Sequence, residues 1–113
     1  MTTTNLVALD VAVELAEALG PGLEDLKSKN KNLADQAKRA LESVALNLAE
    51  GAAHHDGNRG RHFRQVRASV AELAVALRLA RAFRDLPAAE VARVWPLVDR
   101  LGALTFGLAR RRE

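Results

Sequence analysis

The sequence predicts an all-α protein folded as an antiparallel, up-and-down four-helix bundle. Three observations carry that prediction. Apolar residues recur at three- and four-residue steps through four segments, Gly, Pro and Asn breakers separate those segments, and no alternating strand pattern competes.

The first segment repeats Leu6, Leu9, Val13 and Ala16, with Ala12 or Leu19 completing the face. It predicts a helix over about residues 3–19 that Gly20-Pro21-Gly22 stops. The polar stretch from Lys27 to Asn32 reads as part loop and part run-in. Asn32 is the expected N-cap of a second helix, with Asp35 favourably placed against the helix dipole. That helix spans about residues 33–54 and buries Leu33, Ala37, Ala40, Leu41, Val44 and Leu48. Asp56-Gly57-Asn58 marks the next turn.

The third helix is expected over about residues 61–84, buried through Phe63, Val66, Val70, Leu73, Leu77 and Ala80. Asp85-Leu86-Pro87 then supplies a cap-like residue and a proline suited to a helix's first turn. The fourth segment, about residues 87–111, repeats Val91, Val94, Val98, Leu101 and Leu108, and Trp95, Leu97 and Leu104 widen its face. Pro96 removes a backbone donor inside this segment and predicts a kink or a break into two pieces.

A chain of 113 residues fits one domain with one core. Uninterrupted apolar runs long enough to span a bilayer are absent, so no membrane partner is expected. Met1-Thr2-Thr3-Thr4-Asn5 lacks the basic lead and apolar run of a secretory signal, and a cytoplasmic location is expected. Without cysteine there is neither a disulfide framework nor a thiolate zinc site. The many alanines and valines bury less area per residue than leucine or phenylalanine, at roughly 25 cal/mol per Å². Self-association is the expected remedy for so thin a core.

Charge is unevenly placed along the chain. Residues 1–58 carry five Lys/Arg against nine Asp/Glu, whereas residues 59–113 carry twelve against five, and every base in the second part is arginine. This asymmetry suits an acidic partner such as nucleic acid. It equally suits a ring in which one subunit's acidic part meets its neighbour's basic part, or a solvated, salt-bridged surface.

Gln36, Arg39, Ser43, Asn47 and Glu50 follow steps of three, four, four and three along the second helix. At about 100° per residue they form a polar stripe beside the apolar one. Ser69 and Glu72 flank the apolar arc of the third helix. A hydrogen-bonded seam between the two helices follows, able to fix register because a buried unpaired polar group costs roughly 1–3 kcal/mol. A pocket using Glu50 or Glu72 as acid or base is the alternative, but no histidine or nucleophile is spaced to complete a mechanism, and no catalytic residues are expected.

These same residues carry a family resemblance. Gln36-Ala37-Lys38-Arg39-Ala40 with Ser43-Val44-Ala45-Leu46-Asn47-Leu48-Ala49-Glu50-Gly51, followed by Phe63 and Ala68-Ser69-Val70-Ala71-Glu72-Leu73, resembles the two ordered motifs of four-helix-bundle proteins encoded in 23S rRNA intervening sequences. The resemblance covers about residues 33–80. Ala45 stands where that family commonly has proline, and an aromatic-rich opening is missing from the first helix. The resemblance implies a homopentameric barrel of bundles without enzymatic activity. It also implies kinship with the accessory variability determinants of diversity-generating retroelements, basic pentamers that bind nucleic acid and a reverse transcriptase.

His54-His55-Asp56 with His62 offers metal-ligand types, but the spacing matches no familiar site and straddles a turn, so no metal is expected. Gly57-Asn58-Arg59-Gly60-Arg61 is glycine-rich without the strand or lysine of a phosphate loop. Arg59, Arg61, Arg64 and Arg67 make the densest basic patch, Arg78 and Arg81 continue it, and Arg110-Arg111-Arg112 add a basic tail. Guanidinium groups so arranged contact successive phosphates, and a helix N-terminus adds backbone donors. Interleaved aromatics for base stacking are lacking, so binding is expected to follow the backbone with little sequence preference.

The expected function is therefore a non-enzymatic, homo-oligomeric bundle without cofactors that binds RNA or DNA, with a reverse transcriptase or other protein as a further partner. The rival is a protein-interaction scaffold with no nucleic-acid role, in which Arg64→Glu would break the oligomer.

Overall fold

The computed structural model describes residues 3–53 and 57–111, with side chains placed for 4–53 and 58–108. Four α-helices follow in order: α1 (Thr3–Lys29), α2 (Lys31–Ala53), α3 (Gly57–Ala82) and α4 (Ala88–Arg111). No strand occurs among the described residues. At 1.5 Å per residue the 27 residues of α1 reach about 40 Å, close to the 43 Å long axis of the molecule. Each helix thus runs nearly end to end and must turn back on its predecessor. The principal contacts close a square, α1 to α2, α2 to α3, α3 to α4 and α4 to α1, with α2 and α3 sharing the most extensive interface. The expected four-helix bundle is what the chain forms.

One continuous core fills the centre. Leu15, Leu19 and Leu26 of α1, Val44 and Leu48 of α2, Phe63 and Leu73 of α3, and Val94 and Leu101 of α4 are all buried. The apolar positions expected on the second and third helices fall in this core.

The first helix departs from expectation in face and in length. Leu6, Val13 and Ala16 are exposed and Leu9 is half-buried. Ala8, Val11, Ala12, Leu15 and Leu19 form the stripe that packs on the other helices. The helix does not stop at Leu19 but runs through Gly20-Pro21-Gly22 to Lys29. Leu26 lies on the same face as Leu15 and Leu19 and is completely buried, so tertiary burial outweighs the local helix-breaking propensity. Pro21 is exposed, its ring directed away from the core. Its missing N–H removes the intrahelical donor to the Glu17 carbonyl. The adjacent Ala18 carbonyl accepts a hydrogen bond from Arg93 Nη2 of α4 at 2.7 Å. Gly22 is buried beside Glu90, whose Oε1 would lie 3.3 Å from an added Cβ.

The cap of α2 is Asn30, not Asn32. Asn30 alone joins α1 to α2: its N–H donates to the Leu26 carbonyl (2.7 Å) and its carbonyl accepts from Ala34 N–H (3.1 Å). Its Oδ1 accepts the Leu33 N–H at 3.1 Å, the third position of the new helix, as an N-cap does. Asn32 falls inside α2 and is exposed. Asn30 Nδ2 also donates to Asp85 Oδ2 at 3.0 Å, tying this corner to the α3–α4 turn.

That second turn closes α3 with paired bonds, Asp85 N–H to the Ala80 carbonyl (2.9 Å) and Arg84 N–H to the Arg81 carbonyl (3.0 Å). They require a left-handed residue, and Arg84 takes it at φ 63° where glycine is usual. Pro87 precedes α4 and its carbonyl accepts from Glu90 N–H (3.0 Å) and Val91 N–H (3.3 Å). Pro96 does not split α4, which is continuous from Ala88 to Arg111 with the proline exposed.

Candidate functional site

The α2–α3 interface places part of the expected polar seam at its edge. Ser69, on α3 and only 4 % exposed, donates through Oγ to Ser43 Oγ of α2 at 2.9 Å. Asn47, one turn after Ser43, donates through Nδ2 to the Ser43 carbonyl (2.9 Å) and to Ser43 Oγ (3.2 Å). That orientation leaves Asn47 Oδ1 as an acceptor facing α3, where His62 Nδ1 lies 2.7 Å away. The amide oxygen cannot donate, so the ring carries its proton on Nδ1. Gln65 Nε2 completes the chain by donating to Ser69 Oγ at 3.2 Å. Gln65, Ser69, Ser43, Asn47 and His62 are therefore one connected network crossing the two helices.

Ser43, Asn47 and Ser69 meet as the helical steps indicate. Gln36, Arg39 and Glu72 do not join them and, like Glu50, are exposed. Glu72 borders a shallow groove with Leu33, Gln36 and Val75. Gln65 and His62 are the members that the sequence reading missed. Their spacing held the signal, since Gln65 stands four residues before Ser69 and His62 seven, on one helical face.

The arginines occupy the opposite side of α3. Arg61, Arg64, Arg67, Arg78 and Arg81 are all exposed. Arg59 is half-buried, its guanidinium carbon 5.4 Å from the centre of the Phe63 ring, which separates it from the exposed row. Arg67 lies over Phe106 of α4 at 4.2 Å, so its planar group is held against the bundle while its edge faces solvent. Arg78 and Arg81 edge a groove that Trp95 and Asp99 of α4 also line. The ion pairs Lys31–Asp35 and Glu90–Arg93 lie elsewhere. Among the described residues, Arg61, Arg67, Arg78 and Arg81 form no ion pair. The first turn of α3 carries no acidic side chain, so the helix's positive end and the arginines act with one sign.

Comparisons of the chain with protein-family models, with curated proteins and with solved structures find no match.

Two carboxyls are held low by their neighbours. The hydrogen bond from Arg93 holds Glu90 below the ordinary glutamate range, and Glu90 in return raises Arg93. Asp35 is lowered by its hydrogen bond from Lys31 at 3.1 Å. Both pairs are helix-surface contacts one turn apart, not the signature of an acid–base pocket.

No group of three or more His, Cys, Asp or Glu side chains converges as a metal site among the described residues. His54, His55 and Asp56 lie outside those residues, as do the side chains of the Arg110-Arg111-Arg112 tail. No helix among the described residues is long and apolar enough to cross a membrane.

Proposed function

We propose that this chain is a non-enzymatic, homo-oligomeric helix-bundle protein that binds the backbone of RNA or DNA, in the manner of the 23S rRNA-intervening-sequence proteins it resembles. The observation that carries the reading is the row Arg61, Arg64 and Arg67 on the exposed side of α3, beginning within a turn of that helix's N-terminus. Three guanidinium groups at three-residue steps, beside a helix end without acidic side chains, suit a run of phosphates. Oligomerisation multiplies a weak patch into useful avidity, and a pentamer is the form that the resemblance suggests. A reverse transcriptase or another protein is a further partner within such an assembly.

The test is titration of a labelled RNA duplex with the full chain at about 50 and 200 mM salt. Engagement of four or so phosphates weakens affinity on the order of 100-fold between those conditions. Absence of binding at low salt, or affinity unchanged in Arg61→Ala/Arg64→Ala, overturns the proposal.

A second reading, a scaffold for protein partners, is favoured by one specific feature. Large apolar side chains, Leu46 of α2 and Phe83 after α3 among them, are more than half exposed. On that reading Arg64→Glu disrupts assembly as well as ligand contact.

A further inference from the structure

Aromatic residues do not interleave with the arginines along the chain, but the fold brings the two together from different helices. Arg67, Ala71, Ala74, Arg78 and Arg81 follow alternating steps of four and three and share one face of α3. Trp95, Asp99, Gly102 and Phe106 follow the same steps along α4. The two faces meet at both ends of the α3–α4 surface. At one end the Arg67 guanidinium carbon lies 4.2 Å from the centre of the Phe106 ring. At the other, Trp95 and Asp99 line a groove of about 550 Å³ together with Arg78 and Arg81. Between the ends Gly102 faces α3, where an added Cβ would lie 3.9 Å from Val70 Cγ1. With Ala71 and Ala74 opposite, the surface between the two aromatics carries only small side chains.

We propose that this α3–α4 face is a binding site for unpaired nucleotides, with one base stacked on Trp95 between Arg78 and Arg81 and another on the Phe106–Arg67 pair. The proposal deepens the nucleic-acid reading above and rests on it, naming single strands as the preferred ligand.

Stacking needs a flat apolar face that an unpaired base can reach, with cations beside it for the phosphates. Both ends of the surface supply that combination. Phe106 is 39 % exposed, and the half-buried Trp95 forms part of the groove wall. A guanidinium held over a ring stacks on a base much as an aromatic does. The two aromatic positions stand about 16 Å apart along α4, a distance that a few nucleotides of one strand cover. A duplex keeps its bases stacked on one another and offers these rings only its phosphates. Charge divides the ligand in the same way. Among the described residues, Arg67, Arg78, Arg81 and Asp99 form no ion pair. The three arginines therefore remain open to phosphate, whereas Asp99 repels it and accepts an N–H from a base edge. An acidic peptide would satisfy the arginines but would present nothing flat to Trp95 and would be repelled by Asp99.

Trp95 is the only tryptophan of a chain without tyrosine, so its emission reports on the site directly. Titration of the full chain at low salt with a single-stranded RNA is expected to quench that emission. The same RNA annealed to its complement is expected to bind more weakly and to leave the emission unchanged. Phe106→Leu, checked by circular dichroism to keep its helices, is expected to weaken single-strand binding about 10-fold and duplex binding much less. Equal affinity for the two forms, or unchanged Trp95 emission with the single strand bound, overturns the stacking site and leaves the backbone reading standing. Polyglutamate that displaces the single strand as well as unlabelled RNA does overturns it in favour of an acidic protein partner. Absence of binding by either RNA form overturns both readings.

Discussion

The Phe63 ring of α3 packs directly on Gly51 of α2: a Cβ on that glycine would stand 2.6 Å from Phe63 Cε1 and 3.0 Å from Cδ1. Phe63 is only 1 % exposed, so its ring has no open space to retreat into. Their pairing has a steric cause. α2 and α3 approach closely because one of them lacks a side chain where the other's is largest.

Gly51→Ala is therefore expected to destabilise the fold by about 1–3 kcal/mol, although alanine is the better helix former. Urea unfolding followed by circular dichroism measures it. In the Phe63→Leu background the added methyl should cost measurably less, a coupling that a purely local helix effect would not show.

The seam predicts non-additivity of another kind. Ser69→Ala removes a donor to Ser43 and an acceptor for Gln65 at a buried position and is expected to cost about 1–3 kcal/mol. Ser43→Ala should cost a comparable amount, and the double variant clearly less than the two together, because the second change removes a group already left without its partner. Strict additivity in a urea double-mutant cycle would show that the two hydroxyls do not interact.

Acid stability follows from the depressed carboxyls. Glu90 titrates lower in the fold than in the unfolded chain because Arg93 donates to it. The unfolded state therefore takes up the proton first as pH falls. The contribution is fully present above the ordinary glutamate range, near about 4.3, and is lost as pH drops through the lower folded value. Asp35, lowered by Lys31, acts in the same direction. Thermal melts between pH 3 and 7 are expected to show a declining acid limb that flattens in Glu90→Gln. An unchanged limb would mean that the Glu90–Arg93 pair adds nothing to folding.

The bundle and the faces of α2 and α3 were legible in the sequence because their burial follows a regular period. The face and the end of α1 were not, because apolar residues ring that helix and Leu6 and Val13 are as apolar as the buried Val11 and Leu15. Gly20-Pro21-Gly22 is a local stop signal, and only the complete burial of Leu26 against other helices overrides it. Asn30 and Asn32 are equivalent as letters, and the choice between them depends on Leu33 falling in the first turn after Asn30, where its N–H reaches Oδ1. In the seam, Ser43 and Asn47 border the buried arc of α2, whereas Arg39 and Glu50 fall further round the helix and face solvent. The polar stripe is wider than the contact between the helices. The arginines were legible as exposed groups except for Arg59, whose place over the Phe63 ring needed the structure itself.

The Gly-Pro-Gly segment also makes α1 depend on a remote part of the chain. Relative to alanine, those three residues set about 5 kcal/mol of propensity against helix formation. Besides the burial of Leu26, support comes from α4, where Arg93 reaches the Ala18 carbonyl and Glu90 lies beside Gly22. The second half of α1 thus leans on α2, its neighbour in sequence, and on α4, far along the chain, and a substitution at Glu90 or Arg93 is felt at a helix-breaking segment about seventy residues away.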